Sequence, residues 1–96
     1  MSTTSISVVL THFNKGQLLQ RTVDSLQPDL PELLEIIIVD DYSIDNSLDI
    51  IQDYAKRDKR IKVIKNKSNY GISKTRDIGI KKSSANWITT LDSDDY

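Results

Sequence analysis

The sequence predicts an α/β protein in which a parallel sheet lies between helices. Four apolar runs rich in β-branched residues recur at near-regular spacing, and each run is typical of a strand. They are Ile6 to Leu10, Ile36 to Val39, Ile61 to Ile64, and Trp87 to Leu91. The run IIIV at 36–39 is continuous rather than alternating, which indicates a strand covered on both faces. Helical patterns separate the strands, and right-handed crossovers then make the sheet parallel.

Three apolar stripes at helical spacing lie between the strands. The first stops before Pro28 and consists of Leu18, Leu19, Val23 and Leu26. The second follows two candidate N-caps, Ser43 and Asp45, and consists of Leu48, Ile51, Tyr54 and Ala55. The third is weaker, follows Gly71, and consists of Ile72, Thr75, Ile78 and Gly79. The order β-α-β-α-β-α-β predicts one folding unit.

The composition indicates a small globular domain. Of the 96 residues, 38% are hydrophobic and 28% are charged, a balance that excludes a disordered chain. The chain has no cysteine, which excludes disulfide frameworks and thiolate metal sites. No apolar stretch is long enough to cross a bilayer, and the N-terminus MSTTSISVVLTHF lacks the basic start of a signal peptide. We therefore expect a cytoplasmic protein.

Basic residues are concentrated between Lys56 and Lys82. This segment holds eleven Lys and Arg against Asp58 and Asp77, although the net charge of the chain is −1. A basic block attracts anions, but most charge runs of this kind are solvated faces. We expect no nucleic-acid partner.

Polar residues follow three of the four predicted strands. They are Thr11 to Asn14, Asp40 to Ser43, and Asp92 to Asp95. Ligands of parallel α/β sheets bind beyond the carboxyl ends of the strands, so these residues are expected to meet at one edge. The chain has only three glycines, too few and too scattered for a dinucleotide-binding fingerprint or a P-loop.

Four sequence blocks in order resemble the inverting family 2 glycosyltransferases of the GT-A fold. The blocks are SVVLTHFN, EIIIVDDYSIDNS, NYGISKTRDIGI and ANWITTLDSDD, and they span about residues 5 to 95. The resemblance implies a Rossmann-like parallel sheet of order 3-2-1-4 with helices on both faces. This sheet is the nucleotide-binding half of such an enzyme, so residues 1–96 are expected to be the donor-binding part of a longer domain.

The resemblance assigns a base-binding role to residues after the first two strands. Thr11 and Phe13 would line the base pocket of a nucleotide-sugar donor, with the ring of Phe13 available for stacking. Asp41 would accept a hydrogen bond from the base, whereas Asp40 would support the loop. The resemblance implies a UDP-sugar as the donor. Caps on the following helix are the alternative role for this acidic pair.

The resemblance places the diphosphate near the last predicted strand. Asp92 would contact the ribose or reach a metal through water, while Asp94 or Asp95 would bind Mn²⁺ or Mg²⁺. Hard oxygen ligands suit these ions, and the ion would neutralise the charge of the leaving diphosphate. Arg76 would lie near the diphosphate or the sugar. An exposed acidic terminus is the alternative for the aspartates.

The chain departs from the family pattern at four positions. Thr11 stands in place of a frequent Pro, and Thr75 and Asp77 replace the Ala and Asn of A-R-N. Tyr42 replaces the Gly of D-D-G-S. This last change matters most, because a glycine at that place can require a positive φ that a bulky residue adopts reluctantly.

The expected function is sugar transfer from a nucleoside diphosphate to a hydroxyl acceptor, such as a growing glycan, with inversion. No catalytic base is expected in these residues, so this piece alone is expected to be inactive. The missing part would bring the acceptor site and any association with the inner face of a membrane. The exposed last strand is expected to make this piece self-associate.

Two other functions remain open from the sequence. A flavodoxin-like phosphoacceptor domain would also explain an acidic pair after a strand, but it needs an aspartate where this chain has Lys65-Asn66-Lys67. A non-catalytic module that binds a nucleotide or a partner protein is the other alternative.

Overall fold

The computed structural model describes residues 5–13, 33–45 and 47–92, without the side chain of Asp92. These residues form six elements in chain order. They are β1 (Ile6–His12), β2 (Leu33–Asp40), α1 (Ser47–Arg57), β3 (Ile61–Lys65), α2 (Ile72–Lys82) and β4 (Trp87–Asp92). The helix predicted around Leu18 to Leu26 lies outside the described residues.

The four strands form one parallel sheet in the order β3-β2-β1-β4, which confirms the predicted order. The register pairs Leu10 with Ile38 of β2 and with Leu91 of β4, so β1 lies in the interior of the sheet. All strands point the same way, and their carboxyl ends form one edge. We call this the carboxyl edge.

Helix α1 covers one face of the sheet. Ile51 and Tyr54 of this helix are buried against Leu10, Ile36 and Ile38. The predicted cap Asp45 accepts the main-chain N–H of Ser47 at 2.9 Å, as an N-cap does. The apolar stripe of the sequence therefore marks the buried side of α1 correctly.

Helix α2 covers the opposite face, so helices lie on both faces as predicted. Ile78 and Ile80 pack against a cluster formed by Val9, Ile37 and Val39. Gly79 lies directly on the sheet, because a Cβ added there would be 2.3 Å from Cγ1 of Val9. Only a residue without a side chain allows this close approach.

A buried carboxylate ties the strands together near their amino ends. Glu35 is 1% exposed, and its oxygens accept hydrogen bonds from Ser7 Oγ at 2.6 Å and Lys62 Nζ at 2.7 Å. The main-chain N–H of Ser84 donates a third at 2.7 Å. Burial raises the pKa of Glu35, but these donors outweigh it and lower the pKa to about 2.

The two outer strands of the described sheet differ in character. β3 exposes Lys62 and Lys65, charges of the kind that discourage edge pairing. β4 exposes Trp87 and Ile88, which are 65% and 41% accessible. No helix in the described part of the chain is long and apolar enough to cross a membrane.

Candidate nucleotide site at the carboxyl edge

A pocket of about 280 Å³ opens at the carboxyl edge of the sheet. Three residues that the sequence nominates for the base, Thr11, Phe13 and Asp41, line it together. Its volume is close to the lower end of the ~300–1,000 Å³ typical of small-molecule sites. The structure thus brings the predicted base-binding residues into one concave site.

Phe13 and Thr11 contribute different surfaces to this pocket. Phe13 follows β1 and is 43% exposed, so part of its ring is accessible to a planar ligand. Thr11 is 2% exposed, and its hydroxyl donates to the carbonyl oxygen of Leu91 at 3.3 Å. The Thr11 side chain therefore also ties β1 to β4 beside the pocket.

Asp41 is held by donors from the loop that precedes α2. Its Oδ1 accepts the main-chain N–H of Tyr70 at 2.7 Å and Nδ2 of Asn66 at 3.0 Å. Its Oδ2 accepts the main-chain N–H of Gly71 at 3.0 Å. The carboxylate therefore anchors the Asn66–Gly71 loop, and a base N–H that reaches it shares an oxygen with these donors.

Asp41 is 5% exposed, yet its carboxyl stays ionised. Burial raises its pKa, but the hydrogen bonds from Tyr70, Asn66, Gly71 and the hydroxyl of Thr75 outweigh burial, so the pKa lies below its ordinary value. The charge also lies at the N-terminal end of α2, where the helix dipole favours an anion. Near neutral pH the pocket therefore presents a fixed negative acceptor.

Asp40 supports the loop after β2, as predicted. Its carboxylate is fully buried and accepts the main-chain N–H of Ser43 at 2.9 Å and the Ser43 hydroxyl at 2.5 Å. Between them Tyr42 adopts φ +66, the left-handed conformation that the family pattern suggests for this position. The loop keeps a glycine-like course although a bulky residue occupies it.

The pocket also contains residues that the sequence analysis did not nominate. They are His12, Asn69, Gly71, Ile72 and Thr75. Gly71 has φ +90, which only glycine adopts readily, and it is the N-cap residue of α2. Asn69, Gly71 and Ile72 belong to the block NYGISKTRDIGI, and the folded loop places them beside Asp41 in the wall of the pocket.

His12 is the least expected member of the pocket. It is 2% exposed at the end of β1, although histidines that follow a strand are usually solvated. Burial lowers its pKa, and the nearby charges of Asp40 and Asp45 only partly oppose this. The imidazole is therefore neutral at pH 7 and contributes no positive charge for a phosphate.

The predicted metal ligands begin beside the pocket. The register places Asp92 next to Thr11, so the main chain of the DSDD segment starts at the carboxyl edge. Asp94 and Asp95 lie outside the described residues, and so does the side chain of Asp92. Among the described residues no group of three His, Cys, Asp or Glu side chains could hold a metal.

Arg76 lies on α2, one residue beyond Thr75, and it does not line the pocket. Its Nε–H is buried and has no hydrogen-bond partner among the described residues. The proximity of Arg76 to a diphosphate stays a prediction.

The sequence matches glycosyl transferase family 2 over residues 7–96, and the chain belongs to this family. The chain is 38% identical over 91 residues to the uncharacterized glycosyltransferase EpsJ of Bacillus subtilis. This match covers 95% of this chain and 26% of EpsJ. It is 34% identical over 90 residues to the glycosyltransferase GlyG of Streptococcus pneumoniae, covering 94% of this chain and 30% of that one. The chain thus spans about a quarter to a third of these relatives.

Solved structures show the same fold. The structure of Staphylococcus aureus TarS 1-349 in complex with UDP-GlcNAc has a TM-score of 0.85 and 30% identity, covering 96% of this chain and 27% of that one. A mannosyltransferase from Pyrobaculum calidifontis in complex with GDP-Man and Mn²⁺ has a TM-score of 0.86 at 16% identity, covering 98% and 28%. The predicted GT-A architecture is confirmed. The chain therefore belongs with the glycosyltransferases and not with the flavodoxin-like phosphoacceptor domains.

Proposed function

We propose that this chain is the donor-binding part of a glycosyltransferase that moves a sugar from a UDP-sugar to a hydroxyl acceptor, with inversion at the anomeric carbon. The observation that carries the proposal is the pocket in which Thr11, Phe13 and Asp41 meet. It combines a half-exposed aromatic ring with a fixed carboxylate, which together suit a planar base that carries an N–H donor.

The comparisons support a nucleotide sugar as the donor. TarS, whose fold and sequence are similar over nearly all of this chain, has been solved with UDP-GlcNAc and with UDP. The fixed negative acceptor at Asp41 suits uracil, which has an N–H at ring position 3, better than cytosine, which has a bare nitrogen there. We therefore infer a uridine nucleotide.

A divalent cation is the proposed cofactor. Asp94 and Asp95 would hold Mn²⁺ or Mg²⁺ through carboxylate oxygens, the ligands that these ions prefer. When bound, the ion would neutralise charge on the leaving diphosphate. The mannosyltransferase of the same fold contains Mn²⁺, and the pairing of Asp92 with Thr11 begins this segment at the pocket edge.

Transfer itself requires groups outside these residues. We propose that the remainder of the protein supplies the hydroxyl acceptor site and the base that deprotonates it, so that the 96 residues bind donor without turning it over. Action on a growing glycan at the cytoplasmic side of a membrane is part of this proposal.

Calorimetric titration with UDP tests the proposed pocket. Phe13→Leu keeps an apolar side chain but removes the ring, and it is expected to weaken UDP about tenfold, because base stacking on an aromatic side chain contributes ~1–3 kcal/mol. Trp87→Leu is the matched control, since Trp87 is an exposed aromatic residue at the opposite edge of the sheet. Equal affinity of all three proteins for UDP would contradict the placement of the base.

A further inference from the structure

The side chain of Asn66 connects two residues of the pocket wall from behind. Its Nδ2 donates to Asp41 Oδ1 at 3.0 Å and to Thr75 Oγ1 at 3.1 Å. Asp41 and Thr75 line the pocket, whereas Asn66 does not line it and is only 4% exposed. One buried amide therefore links the end of β2 to the first turn of α2.

The orientation of this amide is determined by its surroundings. A carboxylate can only accept hydrogen bonds, so the nitrogen of Asn66 must face Asp41, and its two hydrogens match the two acceptors. The main-chain N–H of Asn66 donates to the carbonyl oxygen of Asp40 at 2.9 Å, which fixes the residue against β2. Buried bonds of this kind are strengthened by the low local dielectric.

Other groups also donate hydrogen bonds to the Asp41 carboxylate. The main-chain N–H groups of Tyr70 and Gly71 hold the carboxylate to the loop, and both belong to its exposed part. Two side chains also donate to Asp41: the Thr75 hydroxyl comes from α2, whereas Asn66 is held to the end of β2 through its own main-chain N–H. Asn66 is therefore the contact that ties the carboxylate plane to the sheet.

We propose that Asn66 is a positioning residue for base selection, which holds the Asp41 carboxylate so that it accepts the ring N–H of uracil and disfavours cytosine. This inference rests on the proposed function. A carboxylate held in one orientation repels the lone pair of the cytosine ring nitrogen, whereas a carboxylate free to turn avoids that contact and loses discrimination.

A purely structural role of Asn66 predicts a different result. If the amide only stabilised the fold, its loss would lower stability and leave the relative affinity for two pyrimidine nucleotides unchanged. The ratio of the CDP and UDP dissociation constants therefore separates the two roles, because the folded fraction affects both constants equally.

The experiment measures UDP and CDP binding by calorimetry for the wild type and three variants. Asn66→Ala removes the bridge and is expected to reduce the preference for UDP about tenfold, the effect of one hydrogen bond to a charged group. Thr75→Val keeps the shape of the buried Thr75 but removes both the acceptor for Asn66 and the hydroxyl that donates to Asp41, so a reduction in the same direction is expected. Thr75→Val also keeps the test open if Asn66→Ala does not fold.

Ser68→Ala is the matched control from the same loop. Ser68 is exposed and does not line the pocket, so its replacement is expected to leave the UDP preference intact. An unchanged preference in both the Asn66 and Thr75 variants would overturn the inference, as would a wild type that binds UDP and CDP equally. A wild type that binds neither nucleotide would instead overturn the proposed function.

Discussion

Replacing Asp41 by alanine is expected to destabilise the fold strongly. The sequence interpretation assigns base binding to Asp41 and support of the loop to Asp40, but the structure shows that both carboxylates hold loops. Asp41→Ala leaves four donors without their acceptor: the main-chain N–H groups of Tyr70 and Gly71, Asn66 Nδ2 and the Thr75 hydroxyl. Hydrogen bonds to charged groups contribute about 1.5–3 kcal/mol each. In the variant, water can satisfy some of the donors of the exposed loop, which reduces the total loss.

The expected loss in the free energy of unfolding is therefore about 3–5 kcal/mol, a large part of the ~5–15 kcal/mol of a typical domain. Urea denaturation of wild type and variant measures it. Asp40→Ala is the control, because the Asp40 carboxylate accepts two hydrogen bonds, both from Ser43, and a smaller loss is therefore expected.

The pH dependence provides a second check on Asp41. Its pKa is lower in the folded protein than in the unfolded chain, so its stabilisation is present above the unfolded pKa of about 4 and is lost as pH falls through the folded pKa. The difference between wild type and Asp41→Ala should shrink at acidic pH. A loss below about 1 kcal/mol at pH 7, or one smaller than that of Asp40→Ala, would refute this reasoning.

Three further predictions concern the fold. Because the pKa of Glu35 is lowered to about 2, the wild type should lose roughly 3 kcal/mol of unfolding free energy through this group between pH 5 and pH 2, and Glu35→Gln should not show this loss. Equal dependence of the unfolding free energy on pH in the two proteins would contradict this. Gly79→Ala should cost about 1–3 kcal/mol in urea unfolding, although alanine is the better helix former, because its methyl group meets Val9; a stabilised variant would contradict the packing. The 96-residue chain should self-associate through β4 in sedimentation experiments and Ile88→Lys should reduce this, whereas a monomer at high concentration would show that β4 does not pair.

Much of the fold follows from local sequence patterns. The four apolar runs locate the strands because the faces of a doubly covered sheet require continuous apolar residues. The carboxyl ends of the strands were less predictable. β1 and β2 extend beyond their apolar runs to His12 and Asp40, which pair with each other in the register. Polar residues extend these strands because the parallel ladder satisfies their main-chain groups regardless of side chain.

The site was only partly predictable for a related reason. Thr11, Phe13 and Asp41 follow apolar runs directly, so their place at the carboxyl edge could be inferred from topology. The contacts of Asn66 with Asp41 join residues 25 positions apart, and those of Glu35 with Ser84 join residues 49 apart. No periodicity encodes such long-range pairs, so both buried polar networks required the folded structure.

The central claim is that the carboxyl edge binds a nucleoside diphosphate together with a divalent cation. Titration of the chain with UDP in the presence and absence of Mn²⁺ tests it most directly, with Asp94→Ala combined with Asp95→Ala as the variant. We expect Mn²⁺ to strengthen UDP binding in the wild type, because the aspartates and the diphosphate each complete the coordination of the ion, and we expect the variant to lose this coupling. UDP affinity that does not respond to Mn²⁺, or coupling that persists in the variant, would contradict the account.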